Sequence, residues 1–162
     1  MKTIKIRLNP SSVGNAIKEL DGYSDEIERK CDELARRLAE FGLQIASADY
    51  SACAYQGNKD VSVDIEDIPN GYRVIASGQA VLFLEFGAGI TFSSVQHPLN
   101  AEFGMGPGTY PGVGHWDDPK GWWIPKDYGG GHTYGNPPAM AMYNAAQEIR
   151  RNVQHIAEEV FA

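Results

Sequence analysis

The sequence predicts a single α+β domain: a small antiparallel sheet packed against a long helix and a C-terminal helix, with a long glycine- and aromatic-rich loop inserted at 88–136. Three observations carry this. An apolar stripe at helical period runs from Ile27 to Ile45, a second runs from Met142 to Val160, and between them two stretches alternate at period two around Pro69-Asn70-Gly71. The 162 residues suit one domain with a real core, and 43% hydrophobic with 22% charged residues is ordinary for a globular chain.

The first element expected is a strand from Thr3 to Leu8, with Ile4, Ile6 and Leu8 on one face. Asn9-Pro10-Ser11-Ser12 then turns the chain and offers a serine cap to a short helix bearing Val13, Ile17 and Leu20, ended by Gly22. A long helix follows over roughly Asp25 to Ala48, capped by Ser24, with Asp25, Glu26 and Glu28 favoured by the dipole of its first turn. Ile27, Cys31, Leu34, Leu38, Phe41 and Ile45 form its stripe, which makes Cys31 a buried thiol and leaves Arg29, Lys30, Arg36, Arg37 and Glu40 outside. Gly42 costs about 1 kcal/mol in a helix interior and marks a kink or an early end.

A weaker strand is expected around Ala52 to Gln56. Val61, Val63 and Ile65 then alternate with Ser62, Asp64 and Glu66, and Tyr72 to Ala76 returns across the turn. The last helix is expected from Pro138 to about Phe161, with Met142, Ala145 or Ala146, Ile149, Val153, Ile156 and Val160 as its stripe. Glu158 and Glu159 fall where the dipole disfavours acid, and a basic partner surface would answer for them.

The 88–136 segment holds eleven of the eighteen glycines, five of the nine prolines and all three tryptophans. A flexible linker would be poor in aromatics, whereas this segment carries Phe92, Phe103, Tyr110, Trp116, Trp122, Trp123, Tyr128 and Tyr134. It is therefore expected to be ordered in part, against its own sheet or a neighbouring subunit.

The net charge of −7 and the lack of any Lys/Arg run argue against sequence-specific nucleic-acid binding. The alternating start Met1 to Leu8 is not a signal peptide, and the longest apolar run, Ala80 to Leu84, is too short to cross a bilayer. Two cysteines, Cys31 and Cys53, make no disulfide framework, in keeping with folding in a reducing cytoplasm.

Sites with chemistry are weakly signalled. His97, His115, His132, Asp117 and Asp118 crowd one segment, but no pair has zinc-site spacing. Gly87-Ala88-Gly89 and Gly104-Met105-Gly106-Pro107-Gly108 lack the helix and the Lys-Ser/Thr that a phosphate loop needs. Cys53 and His155 lie on unrelated elements, with nothing to join them as nucleophile and base. Trp116, Trp122, Trp123 and Tyr128 could stack on sugar rings, although loop tryptophans more often anchor a loop to its own domain or to a protein partner.

Two motifs bracket the loop: Leu84-Glu85-Phe86-Gly87-Ala88-Gly89 after an apolar stretch, and Gly135-Asn136-Pro137-Pro138-Ala139-Met140-Ala141-Met142 into the last helix. In order and separation they resemble the tail-component family of siphophages and Gram-positive prophages, variously described as minor capsid, head–tail joining or tail-completion proteins. His97-Pro98 and Gly121-Trp122 are similar to loop features of prophage members, while Ala88 and Ala141 stand where threonine and phenylalanine are usual.

The resemblance implies helices packed on one sheet and a non-enzymatic virion protein, made in the host cytoplasm, that forms a ring between portal and tail tube. Its partners would be other head–tail connector and tail proteins, with no cofactor, metal or membrane. The interface candidates are Leu84, Glu85, Phe86, Gly87, Gly89, Trp116, Trp122, Trp123, Gly135, Pro137 and Pro138. The rival readings are a tail terminator or connector stopper, and a small metal- or sugar-binding enzyme using the loop.

Overall fold

The computed structural model describes residues 4–89, 96–105 and 118–162. Its elements are α1 (Pro10–Ala52), the hairpin β1 (Ser62–Ile68) and β2 (Gly71–Ser77), a short α2 (Val81–Phe86), the two-residue strands β3 (Trp122–Trp123) and β4 (His132–Thr133), and α3 (Ala141–Phe161). The α+β class is as the sequence predicts, but among the described residues two expected strands do not form and two expected helices are one.

α1 begins at Pro10, whose fixed φ and absent N–H suit a first turn, and Asn9 caps it by accepting from the Ser12 amide at 2.8 Å. The helix continues through Gly22 and Ser24, so neither ends nor caps a segment, and Asp25, Glu26 and Glu28 lie in its middle. At ~1.5 Å per residue, 43 residues make a rod of about 65 Å. It stops at Cys53, and the Lys59 ammonium reaches back to the late carbonyl of Ser51 at 3.0 Å.

α3 runs antiparallel along the second half of α1. Asn144 donates to Asp49 at 2.8 Å at one end, and Lys30 lies over the Phe161 ring, 5.7 Å from its centroid, at the other. The buried residues of α1 here are Ala39, Gly42, Ala46 and Tyr50, while Leu34, Leu38, Phe41 and Ile45 are only half-buried. The contact line is thus a row of small residues that lets two helix backbones approach, and the larger apolar side chains flank it. A Cβ on Gly42 would come 2.7 Å from Ile149 Cδ1, so this glycine marks the helix crossing and not a break. Cys31 is exposed, one step outside that line.

On α3 the buried positions are Ala141, Ala145, Ile156 and Val160. Ala146 and Val153 are exposed, which settles the register of its stripe. Glu159 pairs with Arg37 of α1 and with His155 at 3.2 Å, and Glu158 accepts from Gln154 at 2.9 Å. Both acids at this end of α3 thus have a partner inside the chain.

The hairpin forms as its alternation requires, with Val63 opposite Ala76 and Ile65 opposite Val74. The two-residue turn is closed by Asn70 in the left-handed region at φ 67°. No third strand joins it among the described residues: 53–56 is irregular after α1, and Ile4 to Leu8 belongs to no strand. The apolar run after the hairpin is α2, whose Leu84 is fully buried in a core with Tyr50, Ala80 and Ala141. No helix among the described residues is long and apolar enough to cross a membrane.

Candidate functional site

The two motifs that bracket the loop fold against each other. The last carbonyls of a helix have no partner within it, and in α2 the second motif supplies donors. The Asn136 side-chain amide donates to the Phe83 carbonyl at 2.9 Å, the Ala139 N–H to Leu84 at 2.7 Å and the Met140 N–H to Glu85 at 3.2 Å. Ala88 and Asn136 exchange both backbone hydrogen bonds at 2.9 Å, an isolated antiparallel bridge. Pro137 and Pro138, which have no N–H to offer, sit between these donors and outside α3, which starts only at Ala141.

Gly135 explains why that bridge needs a glycine. Its φ is 100°, and a Cβ there would lie 1.9 Å from the Ala88 carbonyl oxygen. Gly87 and Gly89 also sit close to the returning chain, where a Cβ would lie 2.7 Å from Pro138 N and 2.5 Å from the Tyr134 carbonyl oxygen. The Gly87-Ala88-Gly89 run is thus a crossing point of two backbones at a helix C-terminus, with its Ala88 amide already bonded.

At the centre lies the Glu85 carboxylate, 6% exposed. One oxygen, Oε2, accepts from the Tyr50 hydroxyl at 2.9 Å and the Met142 amide at 3.0 Å. The other, Oε1, accepts from the Tyr143 amide at 3.1 Å and faces His97 Nε2 at 3.2 Å. Met140, at the cap position of α3, is left-handed and gives no side-chain cap. Glu85 therefore caps α3 from another element, its charge placed at the positive end of the helix dipole. Burial, and then the adjacent Glu85 carboxylate, push the Tyr50 hydroxyl upward, which keeps it a proton donor.

His97 is buried and joins the loop to this centre. Its Nδ1 accepts from the Leu99 N–H at 3.1 Å, so Nε2 carries the proton donated to Glu85. Its ring packs 4.4 Å from Phe86 and 5.4 Å from Tyr143, centroid to centroid. Phe86 in turn meets Phe103 at 5.9 Å.

Beyond the bridge, β3 and β4 form a narrow ribbon that pairs Trp122 with Thr133 and Trp123 with His132. Its outer side is a row of rings: Trp123 to His132 at 5.2 Å and His132 to Tyr134 at 5.0 Å, both edge-on. Trp123 is 74% exposed and Tyr134 55%. Trp122 is half-buried and lines a cavity of about 610 Å³ with Tyr55, Phe83, Tyr128, Asn58 and Asp127. Asp60, also on that lining, spends both carboxylate oxygens on the Gln79 and Ala80 amides at 2.8 Å.

Those two amides hold the Asp60 carboxyl below its ordinary range. A depressed folded value contributes stability above the unfolded aspartate pKa, ~3.9, that is lost as pH falls through the folded value. Asp60→Asn should therefore melt below the wild type at neutral pH, and the gap should close in acid. Thermal melts across pH check this, and a gap that does not change with pH would contradict it.

Of the interface candidates, Leu84 is core, Glu85 and Gly135 hold the clasp, and Phe86, Gly87, Gly89, Pro137 and Pro138 complete it. Trp122 lines the cavity, Trp123 is on the outer surface, and Trp116 lies outside the described residues, as do His115 and Asp117. Tyr50, His97 and Asn136 belong to the same centre, and only their shared contact with the first motif reveals it. Among the described residues no three His, Cys, Asp or Glu side chains converge as a metal site would require. Cys53 donates to the Tyr50 carbonyl at 3.0 Å, and burial pushes its thiol upward. No protein-family model, curated protein or solved structure matches this chain.

Proposed function

We propose that this chain is a structural virion protein of long-tailed phages, assembling into a ring at the head–tail interface for tail completion or head–tail joining. The observation that carries the reading is the clasp. The two motifs on which the family resemblance rests are bound to each other, and they brace the start of α3 and both ends of a loop that presents Trp123 and Tyr134 outward. A catalytic site exposes its reactive groups, whereas here the buried carboxylate is saturated with donors from its own fold. An exposed row of Trp123, His132 and Tyr134 on a braced ribbon has the composition of an interface anchor. Its partners are then further copies of the chain and neighbouring connector and tail proteins, with no cofactor required. The acidic balance, net −7, suits a conduit through which DNA passes without adhering.

Trp123→Ala combined with Tyr134→Ala tests the surface. Both side chains are exposed, so stability should stay within about 0.5 kcal/mol of the wild type. Association should weaken by roughly 30-fold or more, as loss of a ~2 kcal/mol anchor implies. In a phage or prophage lacking the gene, the wild-type chain should restore infectious particles and the folded double variant should not. Full rescue by the double variant would remove the ribbon from the interface.

One observation favours a second reading, a small saccharide in the 610 Å³ cavity, where Tyr55, Trp122 and Tyr128 could stack on a sugar ring beside Asn58 and Asp127. Titration of tryptophan fluorescence with neutral oligosaccharides tests it, and a saturable change lost in Trp122→Ala would support it.

A further inference from the structure

Among the described residues, the segment before α1 and the half of α1 that follows it make no hydrogen bond to another element, and Ala16 is the buried position on that half. α3 ends beside Lys30, so residues from Pro10 to that point stand clear of it. A Cβ placed on Gly14 or Gly22 meets nothing within 4 Å. Val13, Ile17, Leu20 and Tyr23 nevertheless recur on this stretch and are exposed. Ahead of it, Ile4, Ile6 and Leu8 alternate with Lys5 and Arg7, a strand pattern that pairs with no strand among the described residues, and Leu8 is fully exposed. Among the described residues no hydrogen bond engages the backbone of Ile4, Lys5 or Ile6, while Arg7 is held by Ser12 and Asn9.

The hairpin offers the complementary surface. It has two strands and hence two edges, and unpaired strand edges recruit further strands. β1 carries Asp64, Glu66 and Asp67 and no basic residue, whereas β2 carries Arg73. On β1 the exposed Ser62, Asp64 and Glu66 alternate with half-buried Val63 and Ile65. The segment from Lys2 to Arg7 is basic and has no acid. Laid beside β1 it would set Lys5 and Arg7 next to Asp64 and Glu66, and Ile4 and Ile6 next to Val63 and Ile65.

The same chain cannot make this contact. The turn end of the hairpin meets α1 at Asp32, where the Tyr72 hydroxyl donates at 3.0 Å. From Pro10 to Asp32 the helix is about 33 Å long at ~1.5 Å per residue. The five residues from Lys5 to Asn9, fully extended and folded back along it, reach at most ~18 Å. The occupant of the edge is a second copy.

We infer that the basic segment ahead of α1 adds as a strand to the acidic β1 edge of a neighbouring copy, with the projecting half of α1 carrying it across. The contact joins two different surfaces, so repeating it closes a ring or extends a filament. It deepens the proposed self-assembly and rests on that reading.

The test mixes two full-length proteins, each in a Cys31→Ser background: Lys5→Cys, and either Asp64→Cys or Glu66→Cys. Adjacent strands bring paired Cα atoms into disulfide range. Oxidation at millimolar concentration should give a cross-linked dimer several-fold above a Lys5→Cys with Glu158→Cys control. Arg7→Glu in the Lys5→Cys partner should lower that yield, and Glu66→Lys in the Asp64→Cys partner should restore it. A chain bearing both Lys5→Cys and Asp64→Cys should give a ladder of oligomers. Yield no greater than the control, or closure of the double variant as a monomer, overturns the inference. Particle morphology in a gene deletion decides the virion reading separately, so the two can fail independently.

Discussion

Glu85→Ala is expected to cost about 3–5 kcal/mol of stability, because it removes one acceptor group that serves four donors in a buried setting. The Tyr50 hydroxyl, His97 Nε2 and two first-turn amides of α3 are left unsatisfied together. In a chain of this length the melting midpoint should fall by roughly 10 °C. Amide exchange at Met142 and Tyr143 should accelerate beyond what the global loss explains. Glu85→Gln keeps one acceptor and should be milder, and Tyr50→Phe, which deletes a single donor, milder still at about 1.5–3 kcal/mol. Denaturant titration with exchange measurement checks the order. A Glu85→Ala loss below that of Tyr50→Phe would show that the carboxylate does not hold the site together.

Gly135→Ala is expected to cost about 3 kcal/mol, from a left-handed backbone worth ~1–2 kcal/mol and two bridge hydrogen bonds worth ~1 kcal/mol each. The methyl would overlap the Ala88 carbonyl, so the bridge must open. The control is Gly131→Ala: its φ is 97°, yet nothing lies within 4 Å, so only the conformational cost applies. The difference between the two isolates the bridge. Gly135→Ala should also sensitise the loop to limited proteolysis, and equal melting of the two variants would mean the bridge contributes nothing.

What the sequence made legible follows from short-range pattern. The hairpin was readable because Val63 and Ile65 alternate up to a Pro-Asn-Gly turn, and α3 because its stripe is continuous. The two motifs were readable as landmarks, although nothing local says that Glu85 accepts from amides fifty-seven and fifty-eight residues away. His97 reads as one more polar loop residue until Phe86 and Tyr143 enclose it. The unbroken α1 was not legible because Gly22 and Ser24 are ordinary helix-ending signals, and here they fall on an exposed rod where no packing marks continuity. The contact face of α1 lies one residue from the Leu34-Leu38-Phe41-Ile45 stripe, because close helix approach depends on Ala39, Gly42 and Ala46. Ile4 to Leu8 carries a strand pattern but joins no strand among the described residues, because the long helix sets it beyond reach of β1 and β2.

The central claim is that this chain builds particles at the head–tail interface, and electron microscopy of lysates from a phage or prophage deleted for its gene tests it most directly. The expected result is DNA-filled heads and separate or unfinished tails, corrected by supplying the wild-type chain. Intact, infectious, joined particles in the absence of the chain would contradict it.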